Sequence, residues 1–190
     1  MSTLKVDTIL KRTGTGTITV GQSGDTITIP SGATLSVAGS TSGLPDNTPF
    51  FEAKLSSNPT IGDDTFTKVV FDSERVDSNS AYDTSTGRFT VPSGEAGKYL
   101  FNSTLTLDGD SNSNLDAGEF TFYKNGSDFG TGSGNIYTSN PIRFGTSSKS
   151  LIMDLAVGDY VEIYASIQSG DSSGGRVLGS SNFIGFKLGA

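Results

Sequence analysis

At 190 residues the chain is long enough for one domain, or one domain with an appendage, and for a buried core. It contains no Cys and no His, which excludes disulfides, thiol chemistry and Cys-based zinc sites and removes the commonest general base, leaving only hard cations held by oxygen. A net charge of −7 gives no basic footprint for nucleic acid.

Gly, Ser and Thr are abundant, and β-branched and aromatic residues are frequent among the apolar 33%, a balance that favours pleated sheet. No run approaches the ~18 apolar residues of a membrane span. The opening Met1-Ser2-Thr3-Leu4-Lys5 lacks the apolar core of a secretory signal, so a protein working outside a cell is expected to leave it by another route such as lysis.

Residues 1–12 carry Leu4, Val6, Ile9 and Leu10 in a stretch too short for a stable free helix. They read either as an attachment peptide ordered by a larger partner or as a frayed terminus. Residues 13–44 hold a repeat and a linker. Thr17-Ile18-Thr19-Val20, Thr26-Ile27-Thr28-Ile29 and Thr34-Leu35-Ser36-Val37 share the form Thr-apolar-Thr/Ser-apolar, at spacings of nine and eight residues, each preceded by Gly. Three such units cannot bury their own apolar side chains, so the reading is a slender intertwined β stalk shared with other copies of the chain. A small sheet lying against the main domain is the alternative. Residues 39–49, rich in Gly, Ser and Pro, are the neck, and 45–190 form the head.

In the head, strands are predicted over 50–55, 65–71, 88–91, 98–107, 119–124, 150–155, 160–167 and 181–188. Asn125-Gly126 is the strongest hairpin turn. The organising stretch is Phe71 to Phe101, which reads as strand, turn, short strand, turn, strand. Its sequence FD…N…YD…TGRF…P…GKYLF resembles the core signature of the C1q/TNF-like jelly roll. So do Tyr123-Lys124-Asn125-Gly126, the run Leu155…Val157-Gly158-Asp159-Tyr160-Val161-Glu162-Ile163, and the closing Phe183-Ile184-Gly185-Phe186-Lys187-Leu188. The resemblance spans residues 50–188. It implies an all-β antiparallel β-sandwich that assembles as a homotrimer, with aromatic and aliphatic side chains at the axis. A head that trimerises agrees with a stalk that needs partners.

The N-terminal part resembles tail-fibre and virion structural proteins of marine bacteriophages, in Ser2-Thr3-Leu4-Lys5-Val6-Asp7-Thr8-Ile9 and the repeats after it. That resemblance implies a non-enzymatic fibre on the virion surface. Residues 1–12 would attach to other virion proteins, and the head would bind a host-surface glycan or protein with threefold avidity. The alternatives are a capsid decoration or head-fibre protein, and a cell-encoded C1q-like lectin.

Asp108, Asp110, Asn112, Asn114, Asp116 and Glu119 fall at positions 1, 3, 5, 7, 9 and 12 of a twelve-residue loop, the spacing of an EF-hand calcium loop. Ser113 replaces the glycine of that motif, and strands are predicted on both sides, so the competing reading is a solvated Asp/Asn/Ser turn. Asp63, Asp64, Asp72, Asp77 and Asp83 supply carboxylates for a glycosidase pair, but they read as turn residues, and no enzymatic activity is expected. Gly130 to Gly134 lacks the Lys-Ser/Thr of a phosphate loop. Tyr137, Asn140, Arg143, Gln168 and Arg176 are the contact-capable side chains of the long loops 126–139 and 168–181 and their borders. Tyr82, Tyr99 and Tyr160 are expected in the core or the trimer interface.

Overall fold

The computed structural model describes residues 17–36, 47–110, 114–130 and 134–189. The chain divides into two compact units, Met1–Leu44 and Pro45–Ala190. The attachment peptide at 1–12 lies outside the described residues, as do Val37 and most of the neck.

In the first unit, residues 17–36 run extended between two turns. Asp25 N–H donates to the Gln22 carbonyl at 3.0 Å, and Ala33 N–H donates to the Pro30 carbonyl at 3.0 Å. Gly24 (φ 94°) and Gly32 (φ 84°) take up the left-handed conformation these turns need. Among the described residues the three Thr-apolar segments pair with no strand. Ile18, Val20, Ile27, Ile29 and Leu35 are all exposed, Leu35 by 63%.

The second unit is all-β. Its strands are β1 (Phe50–Lys54), β2 (Thr60–Ile61), β3 (Thr67–Val69), β4 (Ser73–Asp77), β5 (Tyr82–Asp83), β6 (Arg88–Thr90) and β7 (Gly97–Asp108). They continue with β8 (Leu115–Lys124), β9 (Ser127–Asp128), β10 (Gly134–Ile142), β11 (Phe144–Leu155), β12 (Tyr160–Ser169), β13 (Gly175–Val177) and β14 (Asn182–Gly189). One sheet runs β2-β13-β7-β14-β1-β4, with β11 also on β7. The other runs β10-β8-β12-β6-β5, with β3 on β12 and β9 on β8. Every strand pair is antiparallel. This is the jelly-roll sandwich expected from the sequence.

Period-two alternation builds the core. On β7, Tyr99, Phe101, Ser103, Leu105 and Leu107 face inward and are fully buried. On β12, Val161, Ile163, Ala165 and Ile167 do the same from the other sheet. Aromatic rings fill the middle. Phe51 stacks on Tyr82 with centroids 4.7 Å apart and meets Phe183 edge-on at 4.9 Å. Truncating one such ring costs about 3–5 kcal/mol. Burial pushes the Tyr82 phenol far up, and its hydroxyl donates to the Phe71 carbonyl. Gly185 lies between Phe51 and Phe101, whose rings come within 2.5 and 2.6 Å of where its Cβ would be.

Several elements differ from expectation. β8 begins at Leu115, not near 119, so half of the supposed acidic loop is strand, with a bulge that sets Asp116 outside the regular pairing. β4 was not predicted because Ser73 to Val76 are all exposed and give no alternation. β10 and β13 lie inside stretches read as loops. β10 is an edge strand that carries Pro141, and its pairing breaks between Tyr137 and Ile142.

Candidate functional site

The two outward faces of the sandwich differ in chemistry. On the β7 sheet, residues opposite in parity to the core form register-matched rows. One row is Phe50 on β1, Phe186 on β14, Leu100 on β7 and Ile152 on β11, each the direct partner of the next. Phe50 is 38% exposed and Ile152 57%. Ile184, Val76 and Leu188 extend this apolar ladder. A groove of 340 Å³ opens along it, between Phe50, Glu52, Val76, Ile184 and Phe186.

Further along the same face the rows become polar. Asn102 Nδ2 donates to Ser150 Oγ at 2.9 Å, Thr104 and Ser148 hydroxyls meet at 2.9 Å, and Thr106 and Thr146 hydroxyls at 2.9 Å. This hydroxyl ladder satisfies itself, whereas at the apolar end Phe50, Val76, Ile152 and Leu188 are exposed.

The sequence signal for the apolar face was present in β14. In Phe183-Ile184-Gly185-Phe186 both parities are apolar, whereas a half-buried strand alternates. Phe50 beside Phe51 gives the same signal in β1.

The outward face of the β12 sheet is aromatic and charged. Glu162, 2% exposed, accepts from Lys68 Nζ at 2.7 Å and from Arg88 Nε and Nη2 at 3.1 and 3.0 Å. The Arg88 guanidinium lies 3.7 Å over the Tyr160 ring. Tyr123 and Tyr164 stack with centroids 3.9 Å apart. Tyr82 and Tyr99 are in the core, but Tyr160 sits on this face under Arg88.

Five of the six residues of the calcium spacing lie among the described residues. Asp108, buried at the end of β7, accepts from Arg176 Nε and Nη2 at 3.2 and 3.1 Å, and Asp110 Oδ1 lies 2.8 Å from the same Nη2. Arg143 Nε is 3.8 Å from Asp108. Asn114 donates to Asp171 at 2.8 Å. Asp116 and Glu119 belong to β8, and Asn112 lies outside the described residues. Among the described residues no group of three or more acidic side chains is placed to hold a metal.

Four of the five other carboxylates considered are committed to loop hydrogen bonds, and Asp64 is not. Asp63 accepts from Ser169, Asp72 from Ser56, Asp77 from the Ala81 and Tyr82 amides, and Asp83 from Ser85 and Thr86. Hydrogen bonds from Ser56 hold Asp72 below the usual carboxylate range. Of the five loop side chains singled out, Arg143 and Arg176 face Asp108, and Tyr137 and Gln168 line one cleft on the β12 sheet. Asn140 is exposed on β10.

An antiparallel two-sheet jelly roll with an exposed apolar ladder on one outward face is the class of fold these strands define. Residues 50–188 match the C1q domain family, and the chain belongs to it. The fold is similar to the globular domain of zebrafish complement 1qA, at 18% identity and TM-score 0.51, over 74% of this chain and 98% of that one. It is similar to murine APRIL, solved at pH 8.0 and pH 5.0, at 10% and 11% identity and TM-scores of 0.50 and 0.52. Those matches cover 74% and 75% of this chain and 98% and 100% of the other. No match is found among curated proteins.

Proposed function

We propose that the protein is a non-enzymatic homotrimeric binding module whose heads pack through the Phe50–Phe186–Leu100–Ile152 ladder. The ladder carries this reading. An apolar row spanning four strands, outside the core, gains by being covered at about 25 cal/mol per Å² of apolar area. A third copy closes the ring that two head-to-tail copies leave open. The family habit of trimerising supports it.

The exposed apolar repeat at 17–36 supports a stalk assembled from the same three chains. Val20, Ile27 and Leu35 are each more than half exposed in one chain. Interleaving three copies would cover them and pair their backbones.

A fibre on a bacteriophage virion, binding a host-surface glycan or protein, is the setting the N-terminal resemblance suggests. The C1q head fits a cell-encoded C1q-like protein equally well. Copy number separates the virion roles: a tail fibre is present in few copies per purified particle, a capsid decoration protein in the multiplicity of the shell, and a cell-encoded protein in none. Chemical cross-linking of the full chain tests the module itself. Covalent trimers are expected at micromolar concentration, and monomers alone would overturn the reading.

A further inference from the structure

We propose that the cleft between β8, β10 and β12 binds a cationic head group, the lysine ammonium or arginine guanidinium of a partner polypeptide. The cleft lies on the charged sheet, and its presence does not depend on the trimer.

The strand register builds it. Ser166, Glu119 and Asn135 form one row across β12, β8 and β10, and Gln168, Ala117 and Tyr137 form the next. Ala117 is short and stands between the two longer side chains of its row, so the surface dips there. Asp64, from the turn after β2, closes one side, its amide fixed by the Ile167 carbonyl at 2.9 Å. The enclosed volume is 160 Å³, room for one ammonium or guanidinium group and a few waters.

The polar groups in the cleft are free. Among the described residues, the side chains of Asp64, Glu119, Tyr137, Ser166 and Gln168 make no hydrogen bond or ion pair. Ser166 is only 8% exposed as a residue, and its hydroxyl, which has no partner among the described residues, opens into the cleft. The neighbouring acids behave differently: Asp63 is satisfied by Ser169, Glu162 by Lys68 and Arg88, and Asp108 by Arg176.

Charge selects the ligand. Among the described residues, two carboxylates line the concavity and no Lys or Arg does. A cation would neutralise them through charge-assisted hydrogen bonds. The Ser166 and Gln168 side-chain oxygens would accept hydrogen bonds from its remaining N–H groups, and the Tyr137 ring, on a residue 72% exposed, offers a π face. A neutral sugar would leave both charges uncompensated. A bare metal ion would find two acidic ligands where hard cations take six or more oxygens.

The test is a titration of the full-length protein with hexaarginine at low salt, followed by backbone amide shifts and calorimetry. Saturable binding is expected, with shifts at Ala117, Gly118 and Tyr137. Glu119→Gln and Asp64→Asn should each weaken it about tenfold, and Tyr137→Ala should weaken it further than Tyr137→Phe. Glu74→Gln removes the same charge from β4 in the other sheet and should change the affinity little. Equal losses in Glu74→Gln and Glu119→Gln would mean diffuse attraction and overturn the site. So would a neutral oligosaccharide or calcium that shifts the same amides when hexaarginine does not.

Discussion

Lys68 Nζ lies 2.7 Å from Oε1 of Glu162, a carboxylate almost removed from solvent on the outward side of β12. With Arg88 on the same oxygen, the pair ties β3 and β6 to β12. Glu162→Gln removes the charge that holds both cations and should lower stability by about 1.5–3 kcal/mol. Lys68→Met leaves Arg88 in place and should cost less than half as much. Thermal unfolding of the two variants, at about 2–4 °C per kcal/mol, gives the comparison.

Asp159 accepts from Asn125 Nδ2 at 2.8 Å and the Ala156 amide at 3.0 Å, and it faces Lys124 at 2.9 Å. These bonds, that from Asn125 foremost, bring its carboxyl down to about 2 from an ordinary 3.8. Asp171, held by Ser173 and Asn114, is also lowered to about 2. A depressed folded value contributes stability that is complete above the unfolded pKa and is lost as pH falls through the folded one. Acid titration of stability should therefore show a loss between about pH 4 and pH 2. Asp159→Asn should be less stable at pH 7 and show a shallower acid slope.

Gly185 has no room for a side chain. A methyl group there would press on the Phe51 and Phe101 rings in the middle of the core. Gly185→Ala should lower stability by about 1–3 kcal/mol through overpacking. Denaturant titration measures it, and the outward neighbour Ile184→Ala should affect the monomer fold less.

Arg176 pairs with both Asp108 and Asp110. A chelator should leave the unfolding temperature unchanged, whereas Arg176→Met, which leaves Asp108 with the Asp110 amide and the distant Arg143, should cost about 3 kcal/mol. Calorimetry with and without calcium decides. A chelator-sensitive transition would restore the calcium loop.

The sandwich was legible because its core strands alternate. Arg88-Phe89-Thr90, Phe120-Thr121-Phe122 and the β12 run each show one apolar parity, and each is a strand. The edges were not legible, because nothing buries them: β4 is exposed on both sides, and β10 carries Gly134 and Pro141. The cleft was legible only in fragments. Tyr137 and Gln168 stand out in the sequence as contact-capable loop side chains, but their meeting with Glu119 and Asp64 depends on register across three strands. Spacing along the chain pointed the other way, grouping Glu119 with Asp108, which folding takes to Arg176 in the opposite sheet.

The ladder is tested most directly by the solution mass of the compact unit 45–190, wild type beside Ile152→Glu. Ile152 is 57% exposed and outside the core, so the charge should not unfold the head, and circular dichroism should be unchanged. The account predicts a wild-type mass of three copies and a variant mass of one. A monomeric wild type, or a variant that remains a trimer, would contradict it.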